Sequence, residues 1–595
     1  MRRRGAASVA VVLVVALAAA LLAPGLGRAP FEDPGEGQHA EIARELLGGS
    51  WLILRLNGVR YFDKPPLLYW LTAGSFTLFG LTEGAARLAP LLGALLAVAG
   101  TVLLGVRLLG AGWGALAGLA LLSCALFAAF ARYVRPESLF VAAIVWGFTG
   151  FLVHMRGPGN GPRTPPVADT RSGAFWPVVG CAALGMAALA KDPLGLIGPL
   201  VAIGSAAGLA GRLRPVRGWL PLLGLALMAV IGFGWYAVAA MTEPAFLWYT
   251  VVDNHVLNVA RMRQFPDEDV PLSALEFLTA AGFGAFPWIL AAAVAVGALV
   301  RARAWRHPAE LPWVALALWA VGVLAFFTVS PFKLPHYGLP AFPAMALLSA
   351  RLWNEAIERP TGAPRSFTLL APALLASLLV GGTALLTWAG VLGISPSAVT
   401  VADVSARNMA AQGQPVVTDF VAQCRPLLRT IAVIFGLVAS ALAVATWRRL
   451  PRLGVGALLA GMLAFLPLSA EGLALFAKSR SVRVMTDAIL LRAEPGDVLA
   501  HEGPIENSAS ALLRLDQPVQ IVNGLQSNLA FGSTFPEARG RFWDGAALAR
   551  AWRGPGRVFL LTALTPGRSV VRDLPPDHVH LLLEGGGRRL YSNRP

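Results

Sequence analysis

Lysine is rare in this chain: Lys64, Lys191, Lys333 and Lys478 are the only four, set against a large excess of arginine. Three of them stand in short polar stretches beside long apolar runs. Lys64 lies in Tyr61-Phe62-Asp63-Lys64-Pro65-Pro66, between an acid and a double proline. Lys191 opens Lys191-Asp192-Pro193, and Lys333 falls within Ser330-Pro331-Phe332-Lys333-Leu334-Pro335-His336-Tyr337. Acids gather in Glu32-Asp33-Pro34-Gly35-Glu36, and Arg132 and Arg135 precede Glu137. One charge at a membrane boundary is often only an anchor that reaches for the headgroups. Several patches of both signs on one face suit a different chemistry, in which cations hold the phosphate of a lipid while carboxylates act on its partner.

The apolar runs must position those patches. The chain has 595 residues, 56% of them hydrophobic and 14% charged. The apolar residues come in blocks of about twenty, the length that crosses a bilayer. Thirteen spans are expected: 6–26, 88–106, 113–131, 138–155, 174–190, 194–211, 219–241, 272–300, 311–330, 336–352, 366–391, 427–447 and 453–476. The fold class is therefore an all-α polytopic membrane protein. The first run lacks a small-x-small cleavage site, so it reads as a retained span rather than a signal peptide.

Every second connection carries arginine: Arg2 to Arg4, Arg107, Arg156/Arg163/Arg171, Arg212/Arg214/Arg217, Arg301/Arg303/Arg306, Arg351/Arg359/Arg365 and Arg448/Arg449/Arg452. This is the positive-inside pattern, and it sets the N-terminus in the cytoplasm and the tail on the periplasmic side. The net charge of +16 belongs to those turns and not to a nucleic-acid surface. Cys124 and Cys181 fall in apolar runs and Cys424 stands alone, so neither a disulfide framework nor a CxxC metal knuckle is available.

All the chemistry-bearing patches then share the outer face. In the first outer loop, 28–87, Gln38 to Leu47 reads as an amphipathic helix closed by Gly48-Gly49. Pro65-Pro66 opens a second helix, Leu67 to Phe79, whose Tyr69, Trp70 and Phe76 suit the membrane interface. Both are expected to lie on the bilayer surface. After Lys478 the composition changes. Strands are expected at 498–501, 518–522 and 558–561, with helices at 508–515 and 546–552 and a hairpin turn at Gly585-Gly586-Gly587. The domain division is thus 1–477, transmembrane, and 478–595, a small periplasmic α/β domain.

Three segments resemble one family in order: Ala40 to Leu47, Leu56-Asn57-Gly58-Val59-Arg60-Tyr61-Phe62-Asp63-Lys64-Pro65-Pro66-Leu67, and Phe79-Gly80 through Arg87-Leu88. They resemble the first periplasmic loop of bacterial aminoarabinose-transferase-like and protein-mannosyltransferase-like integral membrane glycosyltransferases, of the GT-C type. Lys191-Asp192-Pro193-Leu194-Gly195 is similar to that family's Lys-Gly-Pro segment, and Phe332 to Pro340 to its Lys-Leu-Pro-x-Tyr-x-Leu-Pro segment. The resemblance implies interfacial helices over a periplasmic cavity in an inner-membrane protein. It implies a donor in which one sugar rides on a polyprenyl phosphate, commonly undecaprenyl phosphate. One departure stands out. The family's loop carries an adjacent Asp-Glu pair; Gly35 occupies the Asp position, Glu36 matches the Glu, and Glu32 or Asp33 lies close enough to substitute.

A departing polyprenyl phosphate needs no proton, unlike the leaving group of a glycosidase. An inverting transferase then needs cations for the phosphate and, for a hydroxyl acceptor, one base. The catalytic candidates are Glu36 and Asp33. Lys64 and Lys333, with Arg60, are assigned to the donor phosphate. Asp63, His336, Tyr337, Lys191 and Arg132 complete the substrate-binding set. The acceptor is lipid A or another glycolipid, or else a protein hydroxyl; no nucleic acid is involved and a monomer is expected. No cofactor is required. His39, His255 and His336 come from separate loops without diagnostic spacing, which leaves a divalent metal possible but unneeded. Two rivals remain. A polyprenyl-sugar transporter or flippase would place ionisable groups near the midplane on repeated, broken helices. A non-catalytic protein that binds lipid-linked sugars is the other.

Overall fold

The computed structural model describes residues 2–156, 175–211, 219–265, 269–358, 366–393, 396–411, 420–515 and 517–595. Arg163, Arg171, Arg212, Arg214, Arg217, Arg359 and Arg365, which carry part of the arginine alternation, lie outside the described residues. Each expected span meets a helix or a pair of helices. Among the described residues, eight helices are long and apolar enough to cross a membrane, or nine with one bent pair. That pair corrects the span expected at 272–300. Ala274–Gly284 and Trp288–Arg301 are separate helices inclined by 105°. Phe286-Pro287 stands between them, where proline cannot supply the backbone N–H that a continuous helix needs. The span expected at 336–352 starts as a 3-10 turn, Pro335–Ala341, before the helix Phe342–Glu358.

Small residues let the bundle helices approach closely. A Cβ on Gly150 would stand 2.5 Å from the Trp176 carbonyl, and one on Gly93 2.7 Å from the Ser138 backbone. These contacts seat Glu137–Arg156 between Leu88–Leu109 and Phe175–Ala190.

The first loop packs partly against the tail. Its helix Gly35–Gly48 is buried on most of its length, between Leu67–Phe79 and the segment Ile505–Ala511. Tyr69 and Phe76 face the protein, and the Trp70 indole donates to the Trp51 carbonyl (2.7 Å). Leu47, Trp51, Leu78, Phe79 and Leu81 are the large apolar residues exposed there. The tail covers the first of the two helices, Gly35–Gly48, while the second keeps an apolar end exposed. Between the helices runs a two-residue hairpin, β1 (Arg55–Leu56) and β2 (Val59–Arg60). Its turn is Asn57-Gly58, both with positive φ (56° and 76°), the demand that Asn-Gly meets at little cost. The Asn57 amide donates to the Val519 carbonyl (2.7 Å) and accepts from the Val519 N–H (3.0 Å), so the hairpin docks on the tail by a strand-like pair.

The tail builds a six-stranded sheet in the order β5-β4-β3-β6-β8-β7. These are β3 (Val498–Glu502), β4 (Gln520–Val522), β5 (Phe542–Trp543), β6 (Val558–Thr562), β7 (His580–Gly585) and β8 (Arg588–Ser592). The first four run parallel, and β8 pairs antiparallel with β6 and β7. All of β6 and four residues of β3 are buried, as central parallel strands covered on both faces should be. Gly586 and Gly587 take the positive-φ turn between β7 and β8. β5, β7 and β8 escaped sequence reading, being short or polar on one face. The Glu502 carboxylate at the end of β3 is fully used by Thr562, Ser569 and the Val570 N–H, which marks it as structural.

Candidate active site at the end of the bundle

Helix starts and ends bring the charged patches together beneath the tail. Glu137 opens its helix and is buried; it accepts from Lys191 Nζ (3.1 Å) and stands 3.1 Å from His336 Nε2. Arg135 Nη1 meets the same imidazole at 3.4 Å. Lys191 also lies 4.8 Å above the Tyr337 ring. Residues from three separate loops thus form one charge cluster around Glu137. Burial and the neighbouring cations Lys64 and Arg135 lower the Lys191 pKa, against the pull of Glu137.

Asp63 and Lys64 join this cluster. Lys64 Nζ donates to Asp63 Oδ2 (2.8 Å) and to the Asp63 carbonyl (3.2 Å). Asp63 Oδ1 accepts from the Tyr249 hydroxyl (3.2 Å). Burial raises the Asp63 carboxyl, but Lys64, Arg263 and Tyr249 outweigh it and hold the pKa below its usual value. Pro65-Pro66 then starts the helix Leu67–Phe79, and Tyr61 and Phe62 are buried under the tail, so little freedom remains to the segment. Phe62 packs on Phe246, Phe531 and Phe535, and Tyr249 stacks on Phe531 with ring centres 4.3 Å apart.

The remaining expected residues divide. Lys333 is buried and makes no ion pair among the described residues, which leaves its charge available for an anion. Arg60 is not available in that way. Its guanidinium bonds both Glu243 and Glu537 and lies over the Phe535 ring, so it ties β2 to the tail. Arg132 donates to the Leu22 carbonyl and lines the cavity beside the cluster. The three histidines do not meet: His39 is on the Tyr69 hydroxyl (2.9 Å), His255 on Asp192 (2.8 Å) and His336 on Glu137. Burial, with Arg135 and Lys64 nearby, lowers His39 to about 3, so it is neutral.

Beside the cluster lies a cavity of about 310 Å³. Its polar wall includes Glu32, Glu36, Arg87, Tyr133, Arg135 and His336, and its apolar wall Leu473, Ala474 and Phe476. Both carboxylates expected to catalyse are already engaged. Glu36 forms a bidentate pair with Arg87 (2.6 and 2.8 Å) and accepts from the Val134 N–H (3.1 Å). Asp33 accepts from the Ser510 N–H (3.0 Å) and hydroxyl, which fastens the loop to the tail. Burial raises the Asp33 carboxyl to about 6, against Arg588 and Ser510. Glu32 accepts from the Tyr133 hydroxyl, and burial with Asp403 nearby raises it to about 7.

Sequence reading placed Arg135 and Glu137 in a charged patch but gave them no role. It missed Arg87, Tyr133, Tyr249 and Arg263. Arg87 lay within the third resembling segment; the tyrosines carried no signal, since their partners are 101 and 186 residues away.

Comparison with known proteins follows the same outline. The family model described as dolichyl-phosphate-mannose-protein mannosyltransferase matches residues 63–157. An undecaprenyl phosphate-alpha-4-amino-4-deoxy-L-arabinose arabinosyl transferase of Sodalis glossinidius is 29% identical over 409 residues, 66% of this chain and 68% of that one. The corresponding transferase of an Enterobacter species is 28% identical, and the match covers 55% of this chain and 56% of that one. Curated relatives are thus matched over roughly half to two thirds of their length. The crystal structure of ArnT from Cupriavidus metallidurans bound to undecaprenyl phosphate superposes with a TM-score of 0.75 at 23% identity, over 98% of both chains. The resemblance read from the first loop is borne out: the chain is aminoarabinose-transferase-like, with the fold of that crystal structure.

Proposed function

We propose that the chain is an inner-membrane glycosyltransferase that moves one sugar from a polyprenyl-phosphate donor to an acceptor on the periplasmic face. The observation that carries this is the cationic cluster of Lys64, Lys191 and Arg135, set around two carboxylates beside a cavity with one polar and one apolar wall. Such a pocket fits a charged head on an apolar chain. The family match and the relatives named for undecaprenyl phosphate aminoarabinose transfer support the donor class and favour a glycolipid such as lipid A as acceptor.

In this reading Lys64 and Lys333 hold the donor phosphate while the bond from the anomeric carbon to the phosphate oxygen breaks. The electron pair leaves with the phosphate, and the cations stabilise the charge that grows there. Glu137 keeps Lys191 and Arg135 in place against their mutual repulsion and holds the His336 imidazole. Glu36 holds Arg87, and through it the Leu26, Ala29 and Pro30 carbonyls at the exit of the first helix.

The test uses the protein in nanodiscs with a radiolabelled undecaprenyl-phosphate sugar and envelope lipid as acceptor. Label appearing in the acceptor, lost in Lys64→Ala, is the expected result. Label that crosses the bilayer unchanged would make the protein a transporter, and label that is bound but never transferred would make it a lipid-sugar binder. Mass spectrometry of envelope lipids with and without the gene then identifies the sugar and the acceptor.

A further inference from the structure

Gly35 leaves the first loop without an acid at one position of the family's pair, and the structure shows what fills the space. A Cβ on Gly35 would run into the Tyr133 hydroxyl and stand 2.9 Å from Glu32 Oε2. The tyrosine enters where a side chain at 35 would point, and its hydroxyl donates to Glu32. Glu32, three residues earlier, is thereby swung onto the cavity wall beside Gly35.

We propose that Glu32 is the acceptor-facing carboxylate of this protein, and that Tyr133 positions it in the place Gly35 leaves open. This rests on the transferase reading above. The cavity's other acids are spoken for. Glu36 gives both oxygens to Arg87. Asp403 pairs with Arg480 (3.2 Å) and accepts from the Ala406 N–H, and Asp269 accepts from the Asn408 amide (3.1 Å). Asp33 is turned to Ser510 and does not line the cavity. Glu32 Oε2 accepts the hydrogen bond of the Tyr133 hydroxyl, and its Oε1 has no hydrogen-bond partner among the described residues.

The step is a displacement at the anomeric carbon. The acceptor oxygen forms the new bond to that carbon and its proton passes to Glu32. The old bond breaks, and its electron pair leaves on the polyprenyl phosphate. Burial raises the Glu32 carboxyl to about 7, which suits a group that must take a proton and return it near neutral pH.

The experiment measures two quantities on the same nanodisc preparations: the Kd for undecaprenyl phosphate and the transfer rate with a labelled undecaprenyl-phosphate sugar. Glu32→Gln should keep the Kd of wild type and lose transfer by about 100-fold or more, the range of a general base. Tyr133→Phe should lower kcat with little change in donor KM, as a positioning residue would. Rescue separates this from damage to the fold. Glu32→Gln with Tyr133→Ala should be inactive, and adding Gly35→Asp, now with room for its side chain, should restore part of the rate.

Transfer by Glu32→Gln within threefold of wild type would overturn the proposal. So would a folded triple variant that binds undecaprenyl phosphate yet recovers no rate. Failure of wild type to transfer any sugar, with donor binding intact, would instead sink the transferase reading on which the proposal stands.

Discussion

Replacing Lys64 is the sharpest test of the donor site. Its ammonium is shared between Asp63 Oδ2 (2.8 Å) and the Asp63 carbonyl (3.2 Å), and the side chain is 32% exposed, so it can turn to a ligand without leaving its partner. A hydrogen bond to a charged group contributes about 1.5–3 kcal/mol. Lys64→Ala should therefore weaken undecaprenyl phosphate binding by about 10- to 150-fold. The fold should survive, because Asp63 keeps Tyr249, with Arg263 nearby, and Pro65-Pro66 still starts the next helix. Lys64→Arg should recover only part of the affinity, since a planar fork does not replace a compact charge between Asp63 and the phosphate. Tryptophan fluorescence quenching by undecaprenyl phosphate in nanodiscs gives the Kd, and size exclusion reports the fold. A mere anchor behaves differently: alanine would leave the Kd unchanged, and arginine would be silent. Wild-type affinity in Lys64→Ala refutes the assignment. Asp63→Asn is the control, for it frees the ammonium and should leave the Kd no weaker.

Other outcomes follow from the buried charges and the topology. Arg87→Met strands the Glu36 carboxylate in the interior and should cost about 3–5 kcal/mol in reversible denaturation. Pairing it with Glu36→Gln should give back at least about 1 kcal/mol of that loss, and simple additivity would show that the pair is not coupled. Glu506 is buried, and burial raises it from 4.5 to about 7 against weak backbone N–H contacts from its own residue and Asn528. A raised pKa favours the protonated folded form, so its contribution is intact below pH 4.5 and lost as pH rises through 7. Glu506→Gln should then stabilise the protein at pH 8, by at most about 3 kcal/mol, and have no effect at pH 4.5, as thermal unfolding would show. The arginine alternation predicts a periplasmic tail, so a reporter active only after export should work when fused after Pro595; activity of a cytosol-dependent reporter there would reverse the topology.

The sequence by itself determined whatever is written locally. Block length gives the spans, arginine gives their expected alternation, and alternating strand and helix patterns announced the β3, β4 and β6 core. Spacing also singled out Asp63-Lys64 and Lys191, which the structure brings into one cluster. What each charge does was decided only by tertiary contacts. Arg60 reads as a lone cation in the sequence, and only the fold gives it Glu537, 477 residues later, and Glu243 as partners. Asp33 reads as one acid among several, and only the fold sets both its oxygens on Ser510. That the tail packs on the first loop is equally unreadable locally, with Asn57 reaching across 462 residues to Val519. Hydropathy is a property of a residue and its near neighbours, and survives in the sequence. The role of a buried charge is a property of its partner, and no local pattern records a partner that folding alone brings within 3 Å.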